Sequence, residues 1–104
     1  MPKAFLLVRA VVEEQLRQKF DHWYATDHLP KDVRIFGAER AWRFWSTLEA
    51  GVHYAVYQFA DEATRRAGMR EDVVGPLRAE FDRAWPSGVT RTRDVLVLAE
   101  ERHG

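Results

Sequence analysis

Ala38-Glu39-Arg40-Ala41-Trp42-Arg43-Phe44-Trp45-Ser46 and Val52-His53-Tyr54-Ala55-Val56-Tyr57-Gln58-Phe59, linked through Ala50-Gly51, sit in the middle of the chain. Both runs are rich in aromatic residues, which pack well on a pleated surface, and the short glycine-containing link predicts an antiparallel hairpin. What flanks the hairpin decides the fold. Upstream, residues 4 to 12 form an apolar run suited to a strand buried on both faces. From Glu13 the period changes: Leu16, Phe20 and Trp23 recur at spacings of four and three, marking one face of a helix that runs to about Thr26. Leu29-Pro30 is expected to end that helix, because proline disfavours helical geometry in the residue before it, leaving 27 to 37 as a loop closed by Gly37. Downstream, Asp61 suits an N-cap, and Ala63, Ala67, Val74, Leu77, Phe81 and Trp85 track a second helical face. Gly75-Pro76 is expected to split this segment and Pro86-Ser87-Gly88 to stop it, with residues 89 to 99 forming a last strand.

The order is strand, helix, strand, strand, helix, strand. It predicts an α+β, ferredoxin-like βαββαβ domain, a four-stranded antiparallel sheet with both helices on one face. Alternation along each strand sorts the side chains into faces. Ala4, Leu6, Val8, Ala10, Ala55, Tyr57, Phe59, Leu96 and Leu98 carry no charge and are expected under the helices. The opposite face collects Phe5, Leu7, Arg9, Arg40, Trp42, Phe44, Tyr54, Val56, Gln58, Arg91, Arg93, Val95 and Val97. So much apolar surface is an aggregation hazard on a lone chain, and it predicts a homodimer closed through this open sheet face.

At 104 residues the chain fits one domain, since two separate cores would each be too small to offset the entropy of ordering the backbone. A net charge of +0 removes the electrostatic footprint of a general nucleic-acid binder, and 46% hydrophobic composition excludes a disordered tail. The absence of cysteine rules out disulfides, thiolate metal ligation and a cysteine nucleophile. Arg9 interrupts the first apolar run too soon for a signal peptide or a membrane span, so a cytoplasmic location is expected. No glycine-rich phosphate loop, convincing carboxylate pair or nucleophile elbow is found. An aromatic sheet of this order could stack RNA bases, but the ribonucleoprotein consensus is missing and there is no excess of basic charge.

The stretch Phe20-Asp21-His22-Trp23-Tyr24-Ala25-Thr26-Asp27-His28-Leu29-Pro30 resembles the end of the first helix in the dimeric α+β barrel superfamily. It is most similar to the EthD-type branch, named for ethyl tert-butyl ether degradation, in which an aromatic pair is followed by a histidine close to a proline. Phe81-Asp82-Arg83-Ala84-Trp85 and Arg91-Thr92-Arg93 also resemble small uncharacterised proteins of that superfamily. The resemblance implies two sheets facing each other across a dimer, each subunit keeping a cleft between its sheet and helices. The superfamily includes cofactor-free monooxygenases, isomerases, dehydratases, haem enzymes and stress-induced proteins, so fold carries over better than chemistry.

Arg17, Asp21, Tyr24 and His28 are spaced four, three and four apart, so on a helix that reaches its last turn Tyr24 and His28 flank one cleft. A histidine there exchanges a proton near neutral pH, and a tyrosine holds or polarises a substrate oxygen, the minimum for enolisation or dehydration. Against this, His28 would serve equally as a cation capping the helix C-terminus. Arg9, Trp42, Tyr54, Trp23 and Arg93 are the expected substrate-binding residues. The guanidiniums need partners, which a second subunit, Glu49, Asp94 or an anionic ligand could supply. His22 and His28, six apart, fall on different helix faces, and His53 shares a face with Tyr57 and Phe59, so no metal site is expected. No cofactor is expected either; haem enters only through the superfamily, because a lone histidine is no haem motif. Two functions remain in view: a cofactor-independent enzyme acting on a small oxygenated or aromatic carbonyl compound, with His28 as acid/base, and a non-catalytic small-molecule-binding or stress-response dimer.

Overall fold

A computed structural model describes residues 1–104. The expected order is observed, with extra helical pieces: β1 (Ala4–Val12), α1 (Arg17–Trp23), α2 (Leu29–Phe36), β2 (Arg40–Trp45), β3 (Val52–Phe59), α3 (Glu62–Gly68), α4 (Glu71–Ala84) and β4 (Val89–Val97). The strands form one four-stranded antiparallel sheet in the order β2-β3-β1-β4. The hairpin and the two central strands fall where alternation puts them. β2 and β4 are shorter than expected, ending at Trp45 and Val97. No helix is long and apolar enough to cross a membrane.

The first helical segment does not stop at Leu29-Pro30. A π turn at Tyr24–His28 joins α1 to α2, and the chain stays helical to Phe36, where Gly37 takes the left-handed conformation (φ 74°) that ends it. A π turn shifts hydrogen bonds from the fourth to the fifth residue back, so the missing N–H of Pro30 falls where the regular ladder is already interrupted. The turn also corrects phase. Phe20, Tyr24, His28, Asp32 and Phe36 follow one another at steps of four and are all buried. In an uninterrupted α-helix such steps drift by about 40° each, whereas one inserted residue sets the phase back by about 100° and keeps the stripe on the sheet.

Asp61 caps α3 as expected, its carboxylate accepting from the Thr64 N–H at 2.8 Å. The break in the second helical segment, however, falls after Gly68 and not at Gly75-Pro76. Pro76 lies within the second turn of α4 on its exposed side, where the helix forgoes one backbone hydrogen bond without breaking. Gly68 is buried where α3 meets the end of α2, a close approach that leaves no room for a side chain.

The core lies between sheet and helices, centred on Phe20. Its ring is fully buried and meets those of Tyr24, Trp45, His53, Phe81 and Trp85 at centroid distances of 5.2 to 6.2 Å. β1 and β3 present their expected faces to it, with Ala4, Leu6, Ala10, Ala55, Tyr57 and Phe59 buried. β4 corrects the sequence reading. Its register sets Arg91 opposite Ala10, Arg93 opposite Val8, Val95 opposite Leu6 and Val97 opposite Ala4. Opposed residues share a face, so these four lie on the helix side, while Leu96 turns to the open face. The helices leave this edge strand largely uncovered, so its side chains carry no clean apolar signal from which to read the phase.

Candidate functional site

The buried stripe of the first helical segment forms one wall of a cleft of about 390 Å³. β1 contributes Leu6 and Val8, the helical wall Tyr24, His28, Asp32 and Phe36, α4 Val74, Leu77 and Arg78, and β4 Arg91 and Arg93. The helix runs on past His28, so that residue is no C-terminal cap. One turn further, Asp32 places Oδ2 3.0 Å from His28 Nε2, with both side chains 3–4% exposed. Tyr57, from β3 beneath, donates its hydroxyl to the same Asp32 oxygen at 2.8 Å. The Tyr24 hydroxyl stands 3.5 Å from that of Tyr57 and, since the Tyr57 proton is committed to Asp32, acts as donor in that pair. The result is a buried chain Tyr24–Tyr57–Asp32–His28.

Electrostatics keep both tyrosines neutral. Burial pushes Tyr24 up to about 12 and Tyr57 well above its ordinary value, so each phenol remains a hydrogen-bond donor. Two polar atoms of the chain, His28 Nδ1 and Asp32 Oδ1, are buried without a partner. Unpaired buried atoms are costly, and each leaves a hydrogen bond that the protein itself does not supply. Trp23 stacks on the His28 ring at 4.6 Å and 16° between planes, which fixes the orientation of the imidazole. Across the cleft, Arg91 lies over the face of Phe81 at 3.5 Å, and burial holds its guanidinium below the ordinary value.

The structure thus brings together Tyr24, His28 and Arg93 in the cleft, with Trp23 behind His28. Arg9, Trp42 and Tyr54 are placed elsewhere. They point to the open face, on the far side of the sheet from His28, because their registers align them with Thr92, Val56 and one another and not with the buried set. Arg9 there pairs with Glu49 at 3.3 Å. Sequence reasoning missed Asp32 and Arg91 as cleft residues, and Tyr57 as the residue that holds Asp32 from beneath. Asp32 was legible as the residue four after His28, but only if the helix passes Pro30.

A second polar cluster, beside α1, is structural. Asp21 accepts from Trp45 Nε1 at 2.8 Å and from Arg43, and these bonds, that from Trp45 foremost, hold its carboxyl below the usual range. Arg43 Nε donates at 3.1 Å to Nε2 of the buried His53. His22 is exposed and apart from these groups, and nowhere do three histidine, aspartate or glutamate side chains gather as metal ligands. Burial, aided by Arg43, lowers His53 from 6.5 to about 4. The unfolded chain therefore binds a proton at His53 below about pH 6.5 that the folded protein refuses until about pH 4, and stability falls as pH drops through that window. Urea unfolding at neutral pH and at the bottom of the window should differ by up to about 3 kcal/mol from this group, with a smaller difference in His53→Asn.

No protein-family model matches the sequence, nor does any curated protein. Solved structures match over nearly the whole chain. A dimeric ferredoxin-like protein from an uncultured marine organism superposes with a TM-score of 0.69 at 17% identity, covering 98% of this chain and 100% of its own. SnoaB, a cofactor-independent oxygenase from Streptomyces nogalater, matches with a TM-score of 0.67 at 13% identity, over 97% of both chains. An ethyl tert-butyl ether degradation (EthD) family protein from Bacillus halodurans gives 0.63 at 17% identity, over 88% of this chain and 96% of that one. The chain has the fold of the dimeric ferredoxin-like α+β barrel proteins.

Proposed function

We propose that the chain is a homodimeric, cofactor-independent enzyme that moves a proton on a small oxygenated or aromatic carbonyl compound held in the cleft. The observation that carries this reading is the buried Tyr24–Tyr57–Asp32–His28 chain, which ends in a cleft-lining histidine with one unpartnered ring nitrogen, in a cleft that also holds an unpaired arginine. His28 takes a proton from a C–H next to the carbonyl, and the bonding electrons move onto the carbonyl oxygen. The negative charge that forms there faces Arg91, while the proton on the imidazole is balanced by the Asp32 carboxyl. Tyr57 holds Asp32 in place, and the neutral Tyr24 supplies the next hydrogen bond. Returning the proton to another carbon of the enolate completes an isomerisation, and delivering it from His28 to a hydroxyl on the β carbon, which leaves as water, completes a dehydration. The same enolate is the electron-rich form that reacts with dioxygen, in keeping with the oxygenase among the proteins of this fold.

The test is deuterium exchange. In heavy water at neutral pH, NMR should show the protein accelerating loss of α-protons from aryl ketones and hydroxylated quinones over buffer. Uncatalysed rates across such a panel would leave a binding protein in its place.

The dimer follows from the open face, where Trp42, Tyr54 and Val56 are half-buried and Phe44 is 51% exposed. One neighbour of the same fold is described as dimeric. Sedimentation equilibrium is expected to return twice the chain mass, and Val56→Lys, at the centre of that face, to shift the protein toward the monomer.

A further inference from the structure

The chain has 16 basic and 16 acidic side chains, yet its charges are unevenly spread around the cleft. Arg78, Arg91 and Arg93 line it against one carboxyl, Asp32, which is already engaged with Tyr57 and His28. Arg78 is held by both oxygens of Glu71, at 2.8 and 2.9 Å. Arg91 and Arg93 have no carboxylate within ion-pair distance, and β4 sets them two residues apart on the same side. A second hollow of about 380 Å³ adjoins the cleft, shares Met69 and Arg93 with it, and adds Arg65 and Arg66. Those two share the single carboxylate of Glu62, and Asp94 in the same hollow turns one oxygen to the Val95 N–H. Guanidinium therefore exceeds carboxylate along a continuous path from Arg91, past Arg93 and Met69, out to Arg66.

A guanidinium presents a planar fork of donors that fits the paired oxygens of a carboxylate or phosphate. We propose that this path seats a permanently ionised acid group of the substrate on Arg93 and Arg66, while the reacting carbonyl lies between His28 and Arg91. The proposal rests on the proton-transfer reading and narrows its substrate to an elongated organic anion. The path runs on the helix side of β4, so a second copy covering the open face leaves it accessible.

Benzoate and its neutral isostere benzamide separate charge from shape. In NMR titrations of the full chain, benzoate is expected to bind about tenfold or more tightly than benzamide, as charge-assisted hydrogen bonds imply. The preference should shrink in high salt and collapse in Arg93→Gln, but persist in His28→Gln. Inorganic phosphate displacing benzoate more strongly than acetate does would mark the acid as a phosphoester; the reverse would mark it as a carboxylate. Equal binding of benzoate and benzamide, an Arg93→Gln protein that keeps the preference, or no binding of either ligand overturns the proposal. Catalysed deuterium exchange alongside equal binding would overturn the anion site alone and leave the proton-transfer reading standing.

Discussion

Turnover of any substrate found by deuterium exchange is expected to fall by about 10²- to 10⁴-fold in His28→Gln, the range typical of losing a positioned general base. Glutamine fills much of the same space and still offers Asp32 an N–H, so Trp23 and Phe81 keep a neighbour to pack on. Ligand affinity should therefore change little while the rate collapses, and the loss should appear in kcat more than in KM. Asp32→Asn is expected to produce a comparable loss by another route. It leaves a proton on His28 without its balancing carboxyl and gives the Tyr57 hydroxyl a weaker acceptor. Unchanged turnover in His28→Gln would remove the imidazole from the chemistry.

Gly68→Ala is expected to destabilise the fold by about 3 kcal/mol, at the upper end for overpacking. A Cβ at this position overlaps the Phe36 carbonyl oxygen and comes within 2.9 Å of its carbonyl carbon. The obstacle is backbone, which has no rotamer to turn to, so α3 must move away from the end of α2. Gly75→Ala provides the contrast. Its new methyl would meet only the flexible Glu71 side chain at 3.4 Å, and removing a glycine from inside α4 should stabilise by about 0.5–1 kcal/mol. Urea unfolding of both variants checks the pair, and equal stabilities would show that α2 and α3 are not held by this contact.

The strands show what was legible in the residues. β1 and β3 are buried against the helices, so burial selects alternate side chains and leaves Ala4, Leu6, Ala55 and Tyr57 in a readable pattern. β4 is covered by little, and without that selection Arg91 and Arg93 read as residues of the wrong face. Tyr24 and His28 could be found because their spacing is local. Asp32 could not, because proline chemistry argues for a helix end at residue 29 and only tertiary packing keeps the segment helical beyond it. The Tyr57–Asp32 hydrogen bond joins residues 25 apart in the chain, and no local pattern records it.

The π turn at Tyr24–His28 makes the geometry of the proposed site vulnerable to the loss of a single codon. Excising the exposed Thr26 would let the segment relax into an ordinary helix, because the turn exists only by holding one residue too many. Everything beyond would then swivel by about 100° about the helix axis. His28, Asp32 and Phe36 would be carried together off the sheet-facing stripe, away from the Tyr57 hydroxyl, while Phe20 and Tyr24 stayed seated. A lineage that dropped that codon would keep the barrel and lose the relay, which offers one route by which a scaffold of this kind could pass between catalysts and plain binders.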